Sequence, residues 1–298
     1  MRAQVWVILM AVAASLPAPS TAPSSHDKRF WRSVVTSDYA RPADASIADL
    51  AAELSHMLAS PDPELRDEFA YAILANWIFQ KRLIDPADLR PLMQQWTANL
   101  TDKIGATDGD SVFVRSFSAL MLSVIVARDN ASPILEPAEF RTLLAAALTY
   151  LHAERDVRGY DAKKGWMHSA AHTADLLKFL ARSRYLERVD QQRILIAVGE
   201  KLRHAPIVFP FGEDERFARA LLSLVARPDF DLEAFQEWAG QARPAPLAAR
   251  PDLAVIRGNQ NLKNLLAKLH VVLLSVQTPS PGVRSADDTV RVVLKDLF

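Results

Sequence analysis

The 298-residue chain has no cysteine. Disulfides, thiolate nucleophiles, Cys-ligated zinc and lipoprotein attachment are all excluded by that one absence. Glycine is scarce, at 9 residues, and alternating β-branched runs are few, which argues against a sheet protein. Net charge is lacking too: Lys+Arg and Asp+Glu both number 35, giving a formal charge of +0. Nothing in that balance draws the chain to nucleic acid or to an anionic membrane surface. There is no phosphate-binding glycine loop, no dinucleotide fingerprint and no serine in a strained elbow.

Half of the residues are apolar, and alanine and leucine dominate, so the composition predicts an all-α protein. Met1-Arg2-Ala3-Gln4 precedes the apolar run Val5 to Ala14, which is too short to span a bilayer and reads as a secretory signal. A signal peptide is expected over residues 1–22, its cleavage point open, followed by a flexible segment over 23–42. The expected location is periplasmic or secreted, with no membrane contact beyond the signal segment.

From Ala43 onward, apolar residues recur at helical spacing. Pro61-Asp62-Pro63 separates two helices. Asp85-Pro86 and Glu136-Pro137 each place a cap before a proline at the first helical position. The helix from Ser111 to Ala127 is apolar nearly all round, whereas Ala87 to Lys103 and Val189 to His204 are amphipathic. Alternating outer and inner helices predict stacked antiparallel helix pairs, an irregular HEAT-like α/α solenoid over residues 43–277. A linker and a capping helix are expected over 278–298.

Polar marks interrupt the inner helices at intervals: Arg66-Asp67, Arg115-Ser116, His168 with His172, Glu213 to Arg216, and Asn261 with Asn264. If inner helices align, these marks line one groove. The expected lining is Arg66, Asp67, Tyr71, Arg115, Glu154, Arg158, Tyr160, Trp166, His168, His172, Asp175, Glu213 and Arg216. The occupant is a small molecule, a peptide or a protein.

Several blocks are also recognisable. Leu65-Arg66-Asp67 with Ala70-Tyr71, Val112 to Ser118, Glu154 to Tyr160, Gly165-Trp166-Met167-His168 with Ala171 to Leu177, and Gly212 to Arg216 together resemble the bacterial domain-of-unknown-function family 2785. The resemblance covers about residues 45 to 275 and implies a single helical domain with no assigned activity.

His168, His172 and Asp175 stand at i, i+4 and i+7, one narrow face if the helix includes all three. Trp166, Ala170, Thr173, Leu177 and Leu180 would form the face entering the core. Two imidazoles and a carboxylate suit a divalent metal such as zinc, and a metal-dependent hydrolase would take Glu213 or Asp214 as its base. The other reading is a hydrogen-bonded network, or a binding site without metal. Paired carboxylates for glycoside hydrolysis are conceivable on this scaffold, but no spacing singles them out. Arg115, a lone charge on an apolar helix, requires a partner, for which Asp67, Glu154 and Asp175 are the candidates.

Overall fold

The computed structural model describes residues 26–295. The expected signal peptide lies outside the described residues. The chain opens with α1 (Lys28–Thr36), whose cap Asp27 accepts a 2.9 Å hydrogen bond from Phe30 N. Trp31 and Val34 are its two buried side chains. A flexible segment over 23–42 is therefore corrected at these residues. A nine-residue helix with only two inward positions gives too short a periodic pattern to read from sequence.

Next comes α2 (Ile47–Met57), then a composite helix: a π-helical run Glu64–Tyr71, one α-helical stretch α3 (Ala72–Ala75), and a second π-helical run Asn76–Gln80. It is followed by α4 (Pro86–Asn99), α5 (Ser111–Ala131) and α6 (Pro137–Ala153). A short antiparallel hairpin, β1 (Tyr160–Asp161) and β2 (Gly165–Trp166), pairs Tyr160 with Trp166. The remaining helices are α7 (Ser169–Leu180), α8 (Arg188–Arg203), α9 (Glu213–Val225), α10 (Leu232–Gln241), α11 (Leu253–Leu274) and α12 (Pro281–Lys295).

The fold is all-α, as composition indicated. Both proline start signals are used, and Glu136 forms a reciprocal capping box with Glu139. Two helices begin earlier than expected. Asp252 caps α11 by accepting from Ala254 N, so α11 starts at Leu253 instead of near Asn259. Pro281 occupies the first position of α12, ahead of the expected Ala286.

The helices form two layers. In one, the composite helix, α5, α7, α9 and α11 pack side by side in chain order; in the other, α6, α8, α10 and α12 do the same. One continuous apolar core joins the layers, from Trp31 through Trp77, Trp96 and Phe140 to Phe235 and Val293. Among the described residues, α5 is the one helix long and apolar enough to cross a membrane. It is buried, and its neighbours are α4, the composite helix and α7.

Two helices come close enough to dictate a residue. A Cβ at Gly258 of α11 would sit 2.3 Å from the carbonyl oxygen of Arg203, at the end of α8. Nearby on α11, buried Asn261 donates to the carbonyls of Leu202 (3.2 Å) and Ile207 (2.9 Å) and accepts from Phe209 N (3.0 Å). Asn261 is thus a clip on the end of α8, while Asn264 accepts a 2.7 Å hydrogen bond from Gln260. Gly258→Ala should cost about 1–3 kcal/mol because backbone must yield, not a flexible side chain. Urea unfolding of the variant checks this; unchanged stability would show that α8 and α11 separate freely.

Candidate ligand groove on the inner helices

The region before α7 departs from expectation. Asp161 Oδ1 accepts from the backbone N–H groups of Lys163 and Lys164, both at 2.8 Å, and Gly165 takes a φ of +73°. This turn folds Tyr160 to Trp166 into the hairpin, so the chain is not yet helical at Trp166. His168 then adopts a left-handed conformation (φ 48°, ψ 36°) as the cap of α7. The expected helical face of His168, His172 and Asp175 is corrected accordingly: only His172 and Asp175 lie on the helix. Trp166 leaves the expected core stripe and is 40% exposed.

Left-handed backbone at a non-glycine residue is costly and persists where the surroundings hold it. Trp166 lies over the His168 ring at 4.2 Å, with Tyr160 and Phe211 edge-on to Trp166 at 4.8 and 5.7 Å. Gly159 leaves room for Phe211, since a Cβ there would fall 2.0 Å from its ring. Beneath this aromatic cap, His168 Nε2 is buried without a hydrogen-bond partner. Burial, reinforced by the positive charge of Arg216, lowers the His168 pKa to about 4.

His172 is held differently. The Ser116 hydroxyl donates to the carbonyl of Met167, so the 2.8 Å contact between Ser116 Oγ and His172 Nδ1 must run from imidazole to hydroxyl. The proton therefore sits on Nδ1, and the Nε2 lone pair lies on the opposite edge of the ring. Phe117 packs edge-on at 5.0 Å. Burial and the neighbouring His168 push the His172 pKa down to about 3. The two imidazoles stand perpendicular, with centroids 5.9 Å apart.

Asp175, one turn further along α7, pairs with Arg216 of α9 and with Lys178 at 3.1 Å. Across from it is Tyr71, whose phenol is shifted upward by burial and then by the charge of Asp175. Tyr71, Asp175, Lys178 and Arg216 share the wall of a cavity of about 400 Å³ with Asn76, Gln80 and Ser123. Tyr71 and Asn76 come from the two π-helical runs, Ser123 from α5, Asp175 and Lys178 from α7, and Arg216 from α9. Sequence reasoning found Tyr71, Asp175 and Arg216 but missed Lys178, Asn76 and Ser123. Lys178 was legible, standing three residues beyond Asp175 on one helix face.

The other expected lining residues are used elsewhere. Arg66 is fully buried, bonding Asp67 (2.8 Å) and the carbonyls of Ser60 (2.9 Å) and Lys164 (2.7 Å), and its guanidinium lies 4.0 Å over Phe113. It is a strut tying the hairpin to the composite helix. Burial raises the Asp67 carboxyl above the usual range despite that arginine. Arg115 pairs with Glu154, Nε to Oε2 at 2.5 Å, and donates to the carbonyls of Asp102 (2.9 Å) and Lys103 (3.3 Å). Arg158 is braced by Asp156 and the carbonyl of Gly109. These residues pin the loops before α5 and after α6. The expectation that they line the same groove as Asp175 is corrected.

Among the described residues, no three His, Asp or Glu side chains are grouped to hold a metal ion. The triplet His168, His172 and Asp175 is not such a group, because the turn at Asp161 and Gly165 displaces His168 from the helix and Asp175 is engaged by two cations. Glu213, the expected base, accepts from Phe211 N at 2.9 Å, and Asp214 accepts from Glu215 N at 2.8 Å. Neither carboxyl meets an imidazole; both stand in the first turn of α9, where negative charge suits the helix dipole, and bond neighbouring backbone N–H groups. Burial raises the Glu213 carboxyl.

A family model described as a protein of unknown function (DUF2785) matches residues 100–271. The chain belongs to that family. The match takes in α5 through most of α11, including Arg115, both histidines, Asp175 and Arg216, and leaves out the composite helix that supplies Tyr71. No curated protein and no solved structure matches the chain.

Proposed function

We propose that the protein is exported and binds a small polar ligand bearing an acidic group in the groove formed by the composite helix, α5, α7 and α9. One observation carries the reading: Tyr71, Asp175, Lys178 and Arg216, from three separate helices, converge on a single cavity. Arg216 and Lys178 share one carboxylate, Asp175, which leaves the cluster with one positive charge in excess. Guanidinium and ammonium both retain N–H groups for an anionic ligand. Asn76, Gln80, Ser123 and the Tyr71 hydroxyl provide neutral hydrogen bonds around it. The volume falls within the range of roughly 300–1,000 Å³ typical of small-molecule sites.

Support for export is the basic-then-apolar N-terminus alone. Ligand-observed NMR with a panel of small carboxylates, amino acids and sugar acids tests the binding reading. Ligands of the wild-type protein should lose roughly tenfold in affinity on Arg216→Gln, while Arg219→Gln, on the exposed Glu215 pair, leaves binding unchanged. Equal loss in both variants, or none in either, would remove the groove as the site.

A further inference from the structure

A second cavity lies on the other layer of the molecule. It is about 700 Å³ in volume and opens between α6 and α8. Its wall is largely apolar: Leu148 of α6, Ile196 and Ala197 of α8, and Ala205 and Pro206 beyond it. Ile196 is 57% exposed and presents apolar surface at the mouth of the cleft. In that wall stands Lys201, half-buried, donating at 2.7 Å to the carbonyl of Glu154 at the end of α6.

That bond is an ordinary helix C-terminal contact and uses one of three N–H groups. What it leaves is a largely desolvated ammonium with no ion pair among the described residues. Neither nearby carboxylate reaches the Lys201 ammonium as an ion pair. Glu154 faces Arg115 at 2.5 Å, and Glu200 faces His204 at 3.1 Å. Arg193 is held by Asp190 at 2.9 Å, while Arg155, beside Glu154, makes no ion pair among the described residues and adds positive charge. His152 completes the set of titratable groups around the cleft. Consistent with this, burial outweighs the attraction of Glu154 and brings the Lys201 pKa down to about 8.

A trough with an apolar wall and two cations outside any ion pair, Lys201 within it and Arg155 at its rim, has a definite complement. We propose that the cleft between α6 and α8 binds an amphipathic monoanion, a carboxylate on a hydrocarbon chain, its head on Lys201 and its tail along Leu148, Ile196 and Ala205. This site is separate from the inner-helix groove and stands or falls independently of it. Arg155 supports the head group from the rim. Binding stabilises the ammonium, so ligand uptake draws in protons where Lys201 is partly neutral.

Calorimetric titration of the folded full chain with octanoate, and with octan-1-ol as its neutral counterpart, tests the assignment. Octanoate should bind, weaken roughly tenfold on Lys201→Gln, and weaken again on Ile196→Glu, whose new charge lies at an exposed position and spares the fold. Octan-1-ol should bind more weakly than octanoate and be indifferent to Lys201→Gln. At pH 8, titrations in two buffers of different ionisation enthalpy should show an uptake of about half a proton per octanoate, falling towards zero at pH 6. The proposal is overturned if octanoate does not bind, if octan-1-ol binds equally well, or if Ile196→Glu has no effect. Octanoate binding without proton uptake at pH 8 would remove Lys201 as the head-group contact.

Discussion

Acidification from pH 7 to pH 5 is expected to destabilise the folded chain by an amount on the order of 3 kcal/mol through His168 and His172 alone. The folded protein keeps both imidazoles neutral, with pKa values of about 4 and about 3, against an ordinary value of 6.5. On unfolding, both regain water and the ordinary value. Their depressed folded pKa values mean that the stabilisation is complete above about pH 6.5 and is lost as pH falls towards 4 and 3. Within that window the unfolded chain binds up to two more protons than the folded one. Glu213 and Asp67, whose carboxyls burial raises, act in the opposite sense, so a comparison is needed. His172→Asn retains an N–H to give Ser116 and removes one titrating group. Urea unfolding at pH 7, 6 and 5 should show about half the pH dependence in that variant; an identical profile would mean that His172 ionises normally in the folded state.

Arg115→Met is the mutation expected to cost most, about 3–5 kcal/mol. Arg115 is fully buried, and its removal strands the Glu154 carboxylate, whose side chain is 2% exposed. The loss is larger than the worth of the pair, because an uncompensated buried charge remains. Glu154 also accepts from Asp156 N at 2.9 Å, so the loop carrying Arg158 loosens with it. Adding Glu154→Leu to Arg115→Met should recover a large part of the stability by removing the orphaned charge. Denaturant midpoints of the single and double variants check this. A double variant no more stable than the single would show that the carbonyl contacts of Arg115, not its ion pair, hold the loops.

Arg115 also shows what was legible in advance. A guanidinium on an all-apolar helix demands a partner, and Glu154 was one of three candidates from residue type alone. Helix starts were equally plain at Asp85-Pro86 and Glu136-Pro137, where a proline ring presets the first helical turn and, at Glu136, a capping box joins it. The shared groove was half legible. Spacing along inner helices placed Asp175, Arg216 and Tyr71 on one surface, but it assigned Arg66, Arg115 and Arg158 there too. Spacing gives depth along a helix; it does not say whether a long side chain turns outward to a cavity or back to a loop carbonyl. The histidines were misread for a different reason. An aspartate accepting two backbone N–H groups and a glycine with positive φ made a hairpin where periodicity suggested an extra helical turn. Competing turn chemistry does not show in an apolar pattern.

The composite helix sets directions as well as positions. Its wide turns join i to i+5 instead of i to i+4, accommodating an extra residue within the same run. Each added residue rotates the downstream part of the helix by about 100° around the axis. Along this run Arg66 faces the hairpin while Tyr71 and Asn76 face the cavity. The angular phase between strut and cavity wall is set by residue count within Glu64–Gln80, a form of gearing in which one residue more or fewer would uncouple the two ends.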